Sequence, residues 1–186
     1  HQDFFATGSG PMVEIFDDRI EITNPGEPLV DTNRFVDSPP KSRNEALASL
    51  MRRFGVCEER GSGIDKVVFQ VELFQLPAPL FEKPDGSTRA VLFAHKELKE
   101  MDKQERIRAC YLHACLRYVT RKKMTNTSLR ERFGIQIQNA SEASRFLKEA
   151  IDAGAILLQD ASVGNRSRQY LPFWAIPTTG SPENFS

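Results

Sequence analysis

The chain has 186 residues, and its hydrophobic fraction of 40% and charged fraction of 27% are ordinary for a soluble globular protein. No run of 18 or more apolar residues occurs, which excludes a membrane-spanning helix, so we expect a cytoplasmic protein that binds no membrane. The formal net charge of +0 hides an asymmetry: residues 1–100 hold 12 Lys and Arg against 17 Asp and Glu, whereas residues 101–186 hold 13 against 8. This division predicts two modules with different partners, the basic one facing phosphate.

Cysteine and histidine spacing predicts neither a disulfide framework nor a metal site. The three cysteines are an odd number without CxxC spacing, and we interpret Cys57, Cys110 and Cys115 as small buried hydrophobes in a reducing cytoplasm. The three histidines lie far apart in the sequence without acidic or cysteine ligands in register. The chain opens at His1 rather than Met and close to an apolar stretch, which is typical of a piece of a longer protein.

The first predicted elements are a β-hairpin and a helix. Pro11–Phe16 and Arg19–Thr23 are rich in apolar and β-branched residues and are joined by two Asp residues, a pattern that predicts two paired strands. Asn24-Pro25-Gly26 is expected to break the second strand. After a Pro-rich loop, Asn44 is a candidate N-cap for a helix that ends before Gly55. Four residues have the helical spacing of one apolar face: Leu47, Leu50, Met51 and Phe54.

A second helix is predicted over Ile64–Phe74, where apolar residues form one stripe. The following segment, LPAPLFEKPDGS, has the composition of a loop, and Thr88–Ala94 is a predicted strand. The first half is therefore expected to be β-β-α-α-β in a two-layer α/β arrangement. The charged segment Lys96–Lys103 is expected to be a helical linker.

The second half predicts three helices in succession. The first, Lys103–Tyr118, is apolar around most of its circumference, as expected of a central helix in a small bundle. The second is short: residues 124–128 offer several N-cap candidates, Ser128-x-x-Glu131 fits a capping box, and Gly134 is the stop signal. After a turn at Ile135–Gln138, the third runs over Asn139–Ala153. Its apolar face is Ala140, Ala143, Phe146, Leu147, Ala150 and Ile151, and its polar face is Ser141, Arg145, Lys148 and Asp152.

A predicted hairpin follows the third helix, with strands at Ala155–Gln159 and Gln169–Phe173 and a turn at Gly164-Asn165. Three helices and a basic hairpin in this order predict a winged helix-turn-helix that binds double-stranded DNA. The candidate DNA contacts are Thr127, Ser128, Gln138, Asn139, Ser141, Arg145, Lys148, Arg166 and Arg168. The alternative is a small helical domain for dimerisation or docking, whose Arg residues are merely solvated.

Two glycine-containing sites in the first half are candidates for a ligand. Asn24-Pro25-Gly26 follows a strand, and Gly61-Ser62-Gly63 opens a helix. Exposed N–H groups at a helix N-terminus favour an anion such as phosphate, although a flexible turn would explain the same glycines. No GxxxxGK[ST] pattern occurs in the sequence, so a P-loop motor is excluded.

Three segments of the sequence resemble those of a known family. VEIFDDRIEITNPG, RNEALASLMRRFGVCEERGSGIDKVV and LPAPLFE together span Val13 to about Phe93. They resemble the C-terminal half of bacterial and archaeal RecG-like helicase-related proteins and transcriptional regulators, which have a divergent GHKL-type ATPase domain after a Schlafen/AlbA-type domain. YLHACLRYV, MTNTSLRERFG and YLPFWA resemble the winged-helix end of a subset of this family.

The resemblance implies roles for particular residues. Asn24 and Gly26 occupy the place of the Asp-x-Gly that contacts adenine, with an amide where the family has a carboxylate. Gly61, Ser62, Gly63 and Ile64 occupy the place of the glycine box that closes on the phosphates. The helix with the Mg²⁺-binding Asn and the catalytic Glu would precede His1. We therefore expect ATP and Mg²⁺ as cofactors of a longer parent, but no catalytic residue, no metal site and no tightly bound cofactor in this piece.

The predicted fold is α+β: a truncated two-layer α/β (GHKL-like) module at residues 1–95, a linker at 96–102, a winged helix at 103–175 and a tail at 176–186. The leading hypothesis is a DNA-binding regulatory protein with a degenerate or truncated ATP-binding module. One alternative is an ATPase or helicase-related factor whose winged helix grips substrate DNA. A second is a protein-interaction or dimerisation module. A palindromic DNA target would imply a homodimer, for which no dimer seam is evident in the sequence.

Overall fold

The computed structural model describes residues 2–6, 10–39, 41–56, 63–160, 162–164 and 167–175. Within this part of the chain, a four-stranded sheet, a two-stranded sheet and five α-helices form a mixed α+β architecture. The strands are β1 (Met12–Ile15), β2 (Arg19–Pro25), β3 (Leu80–Glu82), β4 (Ser87–Phe93), β5 (Ile156–Leu158) and β6 (Tyr170–Pro172). The α-helices are α1 (Glu45–Arg53), α2 (Gly63–Leu73), α3 (Lys103–Val119), α4 (Asn126–Phe133) and α5 (Ala140–Asp152). Short 3-10 helices lie at Thr32–Arg34, Leu98–Glu100 and Ile137–Asn139.

The larger sheet is antiparallel, with the strand order β1-β2-β4-β3. β1 and β2 form the predicted hairpin, in which Ile15 pairs with Ile20. The prediction of a loop throughout LPAPLFEKPDGS is wrong, because Leu80–Glu82 forms β3 and pairs with β4. A strand of three residues between prolines is too short for a sequence pattern to reveal. Its pairing with a neighbouring strand determines its conformation.

The second strand extends two residues further than predicted. Asn24 pairs with Thr88 and Pro25 with Ser87, so Asn24-Pro25-Gly26 does not end β2 at Thr23. Pro25 has no N–H to donate, but its carbonyl accepts a hydrogen bond from the N–H of Asp3 at 2.8 Å. The chain turns at Gly26 instead, whose φ of 107° is one that favours glycine.

Helix α1 begins where predicted, but its apolar face is not buried. Leu47, Leu50 and Phe54 are 42%, 49% and 75% exposed, so most of this apolar face is uncovered in the part of the chain that the structure describes. Helical periodicity shows that a helix is amphipathic, not that another element covers it. The expected cap is also corrected: the side chain of Asn44 makes no capping hydrogen bond, and its Nδ2 donates to the carbonyl of Gln2 at 2.8 Å.

The predicted helical linker is a single 3-10 turn, Leu98–Glu100, rather than an α-helix. α3 then begins at the predicted residue because Asp102 and Glu105 form a capping box. The carboxylate of Asp102 accepts from the N–H of Glu105 at 2.8 Å, and the carboxylate of Glu105 accepts from the N–H of Asp102 at 2.7 Å.

The capping box of α4 lies one turn earlier than predicted. Thr125 Oγ1 accepts from the N–H of Ser128 at 3.2 Å, and Ser128 Oγ accepts from the N–H of Thr125 at 3.0 Å, which corrects the expected Ser128-x-x-Glu131 box. α4 ends at Gly134, as predicted, with φ 65°. α5 buries most of its predicted apolar face: Ala143, Phe146, Leu147 and Ala150.

β5 and β6 form an antiparallel hairpin after α5, within the two predicted strand segments. The N–H of Tyr170 donates to the carbonyl of Met124 at 3.0 Å, so the segment between α3 and α4 adds a bridge beside β6. The order from α3 onward is therefore helix, bridge, helix, helix, strand and strand. The predicted turn residue Asn165 lies outside the described residues.

One hydrophobic core crosses the predicted boundary between the two halves. Val68 of α2 belongs to the same cluster of buried side chains as Cys110 of α3, Leu129 of α4 and Phe146 of α5. The first half thus contributes to the core around which α3, α4 and α5 pack.

Cys110 and Cys115 are buried and free, as predicted, whereas Cys57 lies outside the described residues. Among the helices that the structure describes, none combines the length and the apolar character needed to cross a membrane.

Candidate functional site

A cavity of about 270 Å³ lies against one face of the larger sheet. β2, β3 and β4 form its floor, and residues from 27–39, together with residue 41 and the start of α2, form its walls. Its apolar lining includes Ile22, Phe35, Ile64, Phe81 and Ala90, and its polar lining includes Asn24, Ser38, Lys41 and Thr88. Small-molecule sites are concave, mostly apolar and about 300–1,000 Å³, so this cavity is close to the lower end of that range.

Asn24 and Thr88 are paired residues of β2 and β4 in the floor of the cavity. The hydroxyl of Thr88 donates to the carbonyl of Gly26 at 2.8 Å. The side-chain amide of Asn24 makes no hydrogen bond to any residue that the structure describes. Its carbonyl oxygen and its NH₂ group are therefore both free to bind the polar edge of a ligand.

Gly26 supports the cavity from behind and does not line it. A Cβ atom at Gly26 would lie 2.9 Å from Cβ of Asp3, so the packing as well as the φ angle requires glycine there. The N–H of Gly26 donates to the carbonyl of Gly86 at 2.8 Å, which joins the ends of β2 and β4. Of the predicted Asn24 and Gly26 pair, only Asn24 is placed to contact a ligand directly.

The second predicted glycine site reaches the same cavity through α2. Gly63 is the first residue of α2, and Ile64 lines the cavity, whereas Gly61 and Ser62 lie outside the described residues. The first N–H groups of a helix have no partners within the helix and favour an anion. Asp65 opposes this effect, because a carboxylate in the first turn repels an anion. Burial raises the pKa of Asp65, because it disfavours the charged form of the carboxyl group.

The cavity fits the nucleoside part of a nucleotide better than its phosphates. Its apolar walls suit the faces of a planar base, and the free amide of Asn24 can pair with a base edge. Lys41 is an exposed cation on the lining that could contact a phosphate. In the part of the chain that is described, no three His, Cys, Asp or Glu side chains come together as ligands for Mg²⁺.

A second candidate surface lies on α5 and the turn before it. Gln138, Asn139, Ser141, Arg145 and Lys148 are all exposed. The side chain of Arg145 is 62% exposed, and its guanidinium lies 3.6 Å from the carboxylate of Glu142. Exposed Arg and Lys on α5, with Gln and Asn on the turn before it, have the chemistry that contacts phosphates and base edges in DNA.

Two predicted DNA contacts at the start of α4 are placed differently from each other. Thr127 is exposed, and its hydroxyl accepts a hydrogen bond from Arg130 at 3.3 Å. Ser128 is 3% exposed, and its hydroxyl lies 3.0 Å from Nε2 of His113. This burial removes Ser128 from the candidate DNA surface, because the hydroxyl is committed to the helix cap and to His113.

The predicted wing contacts are only partly described. Arg168 is half-buried, and its Nε is buried without a hydrogen-bond partner in the structure. Arg166 lies outside the described residues. This Nε is inaccessible to a phosphate, so any DNA contact of Arg168 would have to use the other guanidinium nitrogens.

Thr88, Phe35 and Lys41 line the cavity, but they belong to neither of the two glycine-containing motifs in the sequence. Thr88 is brought beside Asn24 by the pairing of β2 with β4, which are separated by about sixty residues of chain. Phe35 packs on Phe81 with ring centroids 5.3 Å apart. No local pattern marks these residues, because the sheet order and the fold of the segment 27–41 place them.

Residues 8–92 match the model of a family described as "Putative ATP-dependent DNA helicase recG C-terminal". The match covers less than half of the chain. No curated protein sequence matches the chain significantly. Among solved structures, the crystal structure of the DIP2311 protein from Corynebacterium diphtheriae is similar with a TM-score of 0.49 and 16% identity, over 92% of this chain and 37% of that chain. This chain thus spans little more than a third of the length of that protein chain.

The family match supports the divergent GHKL-type, ATPase-like domain that the sequence resemblance implied for the first half. Asn24, Ile64 and Thr88 all lie within the matched residues. The match ends in β4 and does not include α3, α4, α5 or the β5–β6 hairpin.

Proposed function

We propose that the chain is a nucleotide-binding, ATPase-like module joined to a winged-helix module that grips DNA, and that it serves an ATPase- or helicase-related protein. One observation carries this proposal. Asn24 and Ile64 come from the two separate glycine-containing segments, yet they line one cavity within the residues that match a helicase-related family. Nucleotide specificity would come from the Asn24 amide and the apolar walls.

The DNA-binding part of the proposal is supported by topology and charge. The order from α3 to β6, with the Met124 bridge beside β6, is the order expected of a winged helix. The proposed DNA contacts among the described residues are Thr127, Gln138, Asn139, Ser141, Arg145, Lys148 and Arg168, and the sequence adds Arg166. The basic balance of residues 101–186 would draw this face to phosphate.

A ligand-responsive transcriptional regulator is the second candidate function. It is favoured by the continuous core that α2 shares with α3, α4 and α5, because a sensor needs such contact between its ligand site and its DNA-binding helices. The two functions differ in DNA selectivity. A regulator should bind a preferred duplex about a thousandfold or more tighter than random DNA, whereas a helicase-related grip should depend little on sequence.

Calorimetric titration with ATP, with and without Mg²⁺, tests the nucleotide site. We expect weak binding without turnover, reduced at least about fivefold by Asn24→Ala, because that change removes the free amide while leaving every described hydrogen bond intact. Asn33→Ala is the matched control, since Asn33 is exposed and does not line the cavity. Equal losses for the two variants, or no binding of ATP at millimolar concentration, would contradict the nucleotide proposal.

Fluorescence anisotropy with a random duplex and with duplexes enriched from a random pool tests the DNA site and its selectivity. We expect binding that weakens steeply with salt and that is reduced by Arg145→Ala. Arg53→Ala, an exposed change on α1, is the control. If no duplex is bound even at low salt, the protein-interaction alternative replaces the DNA proposal.

A further inference from the structure

Helix α2 connects the cavity to the helices of the second half. Ile64 in its first turn lines the cavity, and Glu72 near its other end lies about 12 Å further along the helix axis at 1.5 Å per residue. An α-helix of this length moves as a stiff body, so a displacement at one end reaches the other. The contacts of Glu72 therefore decide what a ligand at Ile64 can influence.

Glu72 joins a buried polar cluster with residues of α3 and α4. Its two carboxylate oxygens lie 3.1 and 3.0 Å from Nδ1 of His113 on α3. On the other side of the same ring, Nε2 lies 3.0 Å from Oγ of Ser128 on α4. His113 is 4% exposed and Ser128 is 3% exposed, so this bridge from α2 through α3 to α4 is shielded from water.

Arg132 adds a second connection between α2 and α4. Its guanidinium donates to the carbonyl of Leu76 at 2.7 Å, and its Nε lies 3.7 Å from the Glu72 carboxylate. The side chain is 1% exposed, and its Nε and Nη1 atoms have no hydrogen-bond partner among the residues that the structure describes. Burial lowers the pKa of Arg132, and the negative charge of Glu72 opposes that shift. A buried cation with unsatisfied donors depends strongly on its nearest carboxylate.

The turn after α2 also touches the end of α4 directly. A Cβ atom on Gly134 would lie 2.9 Å from the side-chain oxygen of Gln75, so the Gln75 side chain lies against the end of α4. α4 in turn is tied to α5, because Nδ2 of Asn126 donates to the carbonyl of Ala140 at 3.1 Å and to Oγ of Ser144 at 3.0 Å. The path from the cavity thus ends on the helix that carries Arg145 and Lys148.

We infer that α2 transmits occupancy of the cavity to the DNA-binding face, and that Glu72 is the positioning residue of this link. The inference rests on the proposed function and adds its regulation: nucleotide and DNA change each other's affinity. A ligand against Ile64 shifts α2, the Glu72 cluster carries the shift to α4, and α4 carries it to α5. Neither Glu72 nor His113 contacts either ligand in this scheme.

Titration of the full chain with duplex DNA, in the absence and presence of millimolar ATP with Mg²⁺, tests the link. We expect ATP to change the Kd for DNA at least about fivefold in the unmodified protein. In Glu72→Gln the ratio of the two DNA Kd values should fall to about one, while each ligand alone still binds within about threefold of the unmodified protein. Glu97→Gln, a change to an exposed carboxylate outside the cluster, should keep the fivefold ratio.

Hydrogen exchange on the unmodified protein tests the link even if the Glu72→Gln variant does not fold. ATP should alter the exchange of amides in Asn126–Phe133, which lie outside the cavity. Binding of both ligands without a change in DNA Kd or in α4 exchange would refute the link but leave the proposed function standing. Loss of either binding event in the unmodified protein would instead refute the proposed function. A fivefold ratio that persists in folded Glu72→Gln would show that another path carries the effect.

Discussion

Truncation of Val68 to alanine tests whether the two halves of the chain share one core. Val68 lies on α2 and is 1% exposed, in the same buried cluster as residues of α3, α4 and α5. Val68→Ala removes two methyl groups from this cluster, worth about 0.8 kcal/mol each, and the remaining cavity adds about 1 kcal/mol. The higher helix propensity of alanine offsets about 0.5 kcal/mol, which leaves a loss of about 2 kcal/mol in the free energy of unfolding.

Urea unfolding followed by the fluorescence of Trp174 measures this loss of stability in the second half of the chain. Trp174 is the single tryptophan, and its Nε1 donates to the hydroxyl of Tyr111 on α3 at 3.1 Å, so it reports on the second half of the chain. With a slope of about 2 kcal/mol per molar urea, the midpoint should fall by about 1 M. Val67→Ala is the matched control on the same helix, because Val67 is only half-buried and should lose less than about 1 kcal/mol.

A shared core would be refuted by a Trp174 transition that stays at its original midpoint in Val68→Ala while circular dichroism shows a second, earlier transition. That result would mean that α2 unfolds separately from α3, α4 and α5. A shift equal to that of Val67→Ala would likewise contradict the burial of Val68 in a common core.

Three further outcomes follow from the structure. Lys148→Ala should weaken duplex binding and reduce the slope of log Kd against log salt by about one, because one phosphate contact is lost; an unchanged slope in an anisotropy titration would remove Lys148 from the DNA face. Burial raises the pKa of the Cys110 and Cys115 thiols from 9.0 to about 12, so the unfolded chain ionises first. The contribution of these thiols to stability in urea should therefore be constant well below pH 9 and fall as the pH rises above about 9. Equal stability at pH 8 and pH 10 would contradict this burial. Gly134→Ala and Gly154→Ala should each cost about 1–2 kcal/mol in thermal unfolding, because both glycines have positive φ and the described atoms within 4 Å of a Cβ at Gly134 belong to the flexible end of the Gln75 side chain, which can move away; a clearly larger cost at Gly134 would show that this side chain is held in place.

The sequence predicted the elements of the second half well because their signals are local. α3, α4 and α5 have caps, apolar periodicity and stop signals within a few residues, and Gly134 ends α4 as expected. The error at Ser128 is also local. A serine near a helix start can be exposed to solvent or can take part in a capping box. Ser128 takes part in a capping box, because Thr125 lies three residues earlier and exchanges hydrogen bonds with it.

The first half was harder to predict because its structure depends on contacts between distant segments. β3 is a strand because it pairs with β4. The prediction that β2 ends before Pro25 failed because the carbonyl of Pro25 accepts a hydrogen bond from the distant N–H of Asp3. The cavity is non-local for the same reason. Asn24 and Ile64 were selected from separate motifs, but Thr88 and Phe35 join them only through the sheet order and the segment 27–41.

The central claim is that a nucleotide binds in the cavity between the larger sheet and the start of α2. Titration of ¹⁵N-labelled protein with ATP and Mg²⁺, followed by two-dimensional NMR, tests it most directly. The claim predicts that the amide signals of Asn24, Ile64 and Thr88 shift together and saturate along one binding curve, with the exposed end of the β1–β2 hairpin unaffected. Shifts confined to other regions, or no saturable shift at these three residues at millimolar ATP, would contradict it.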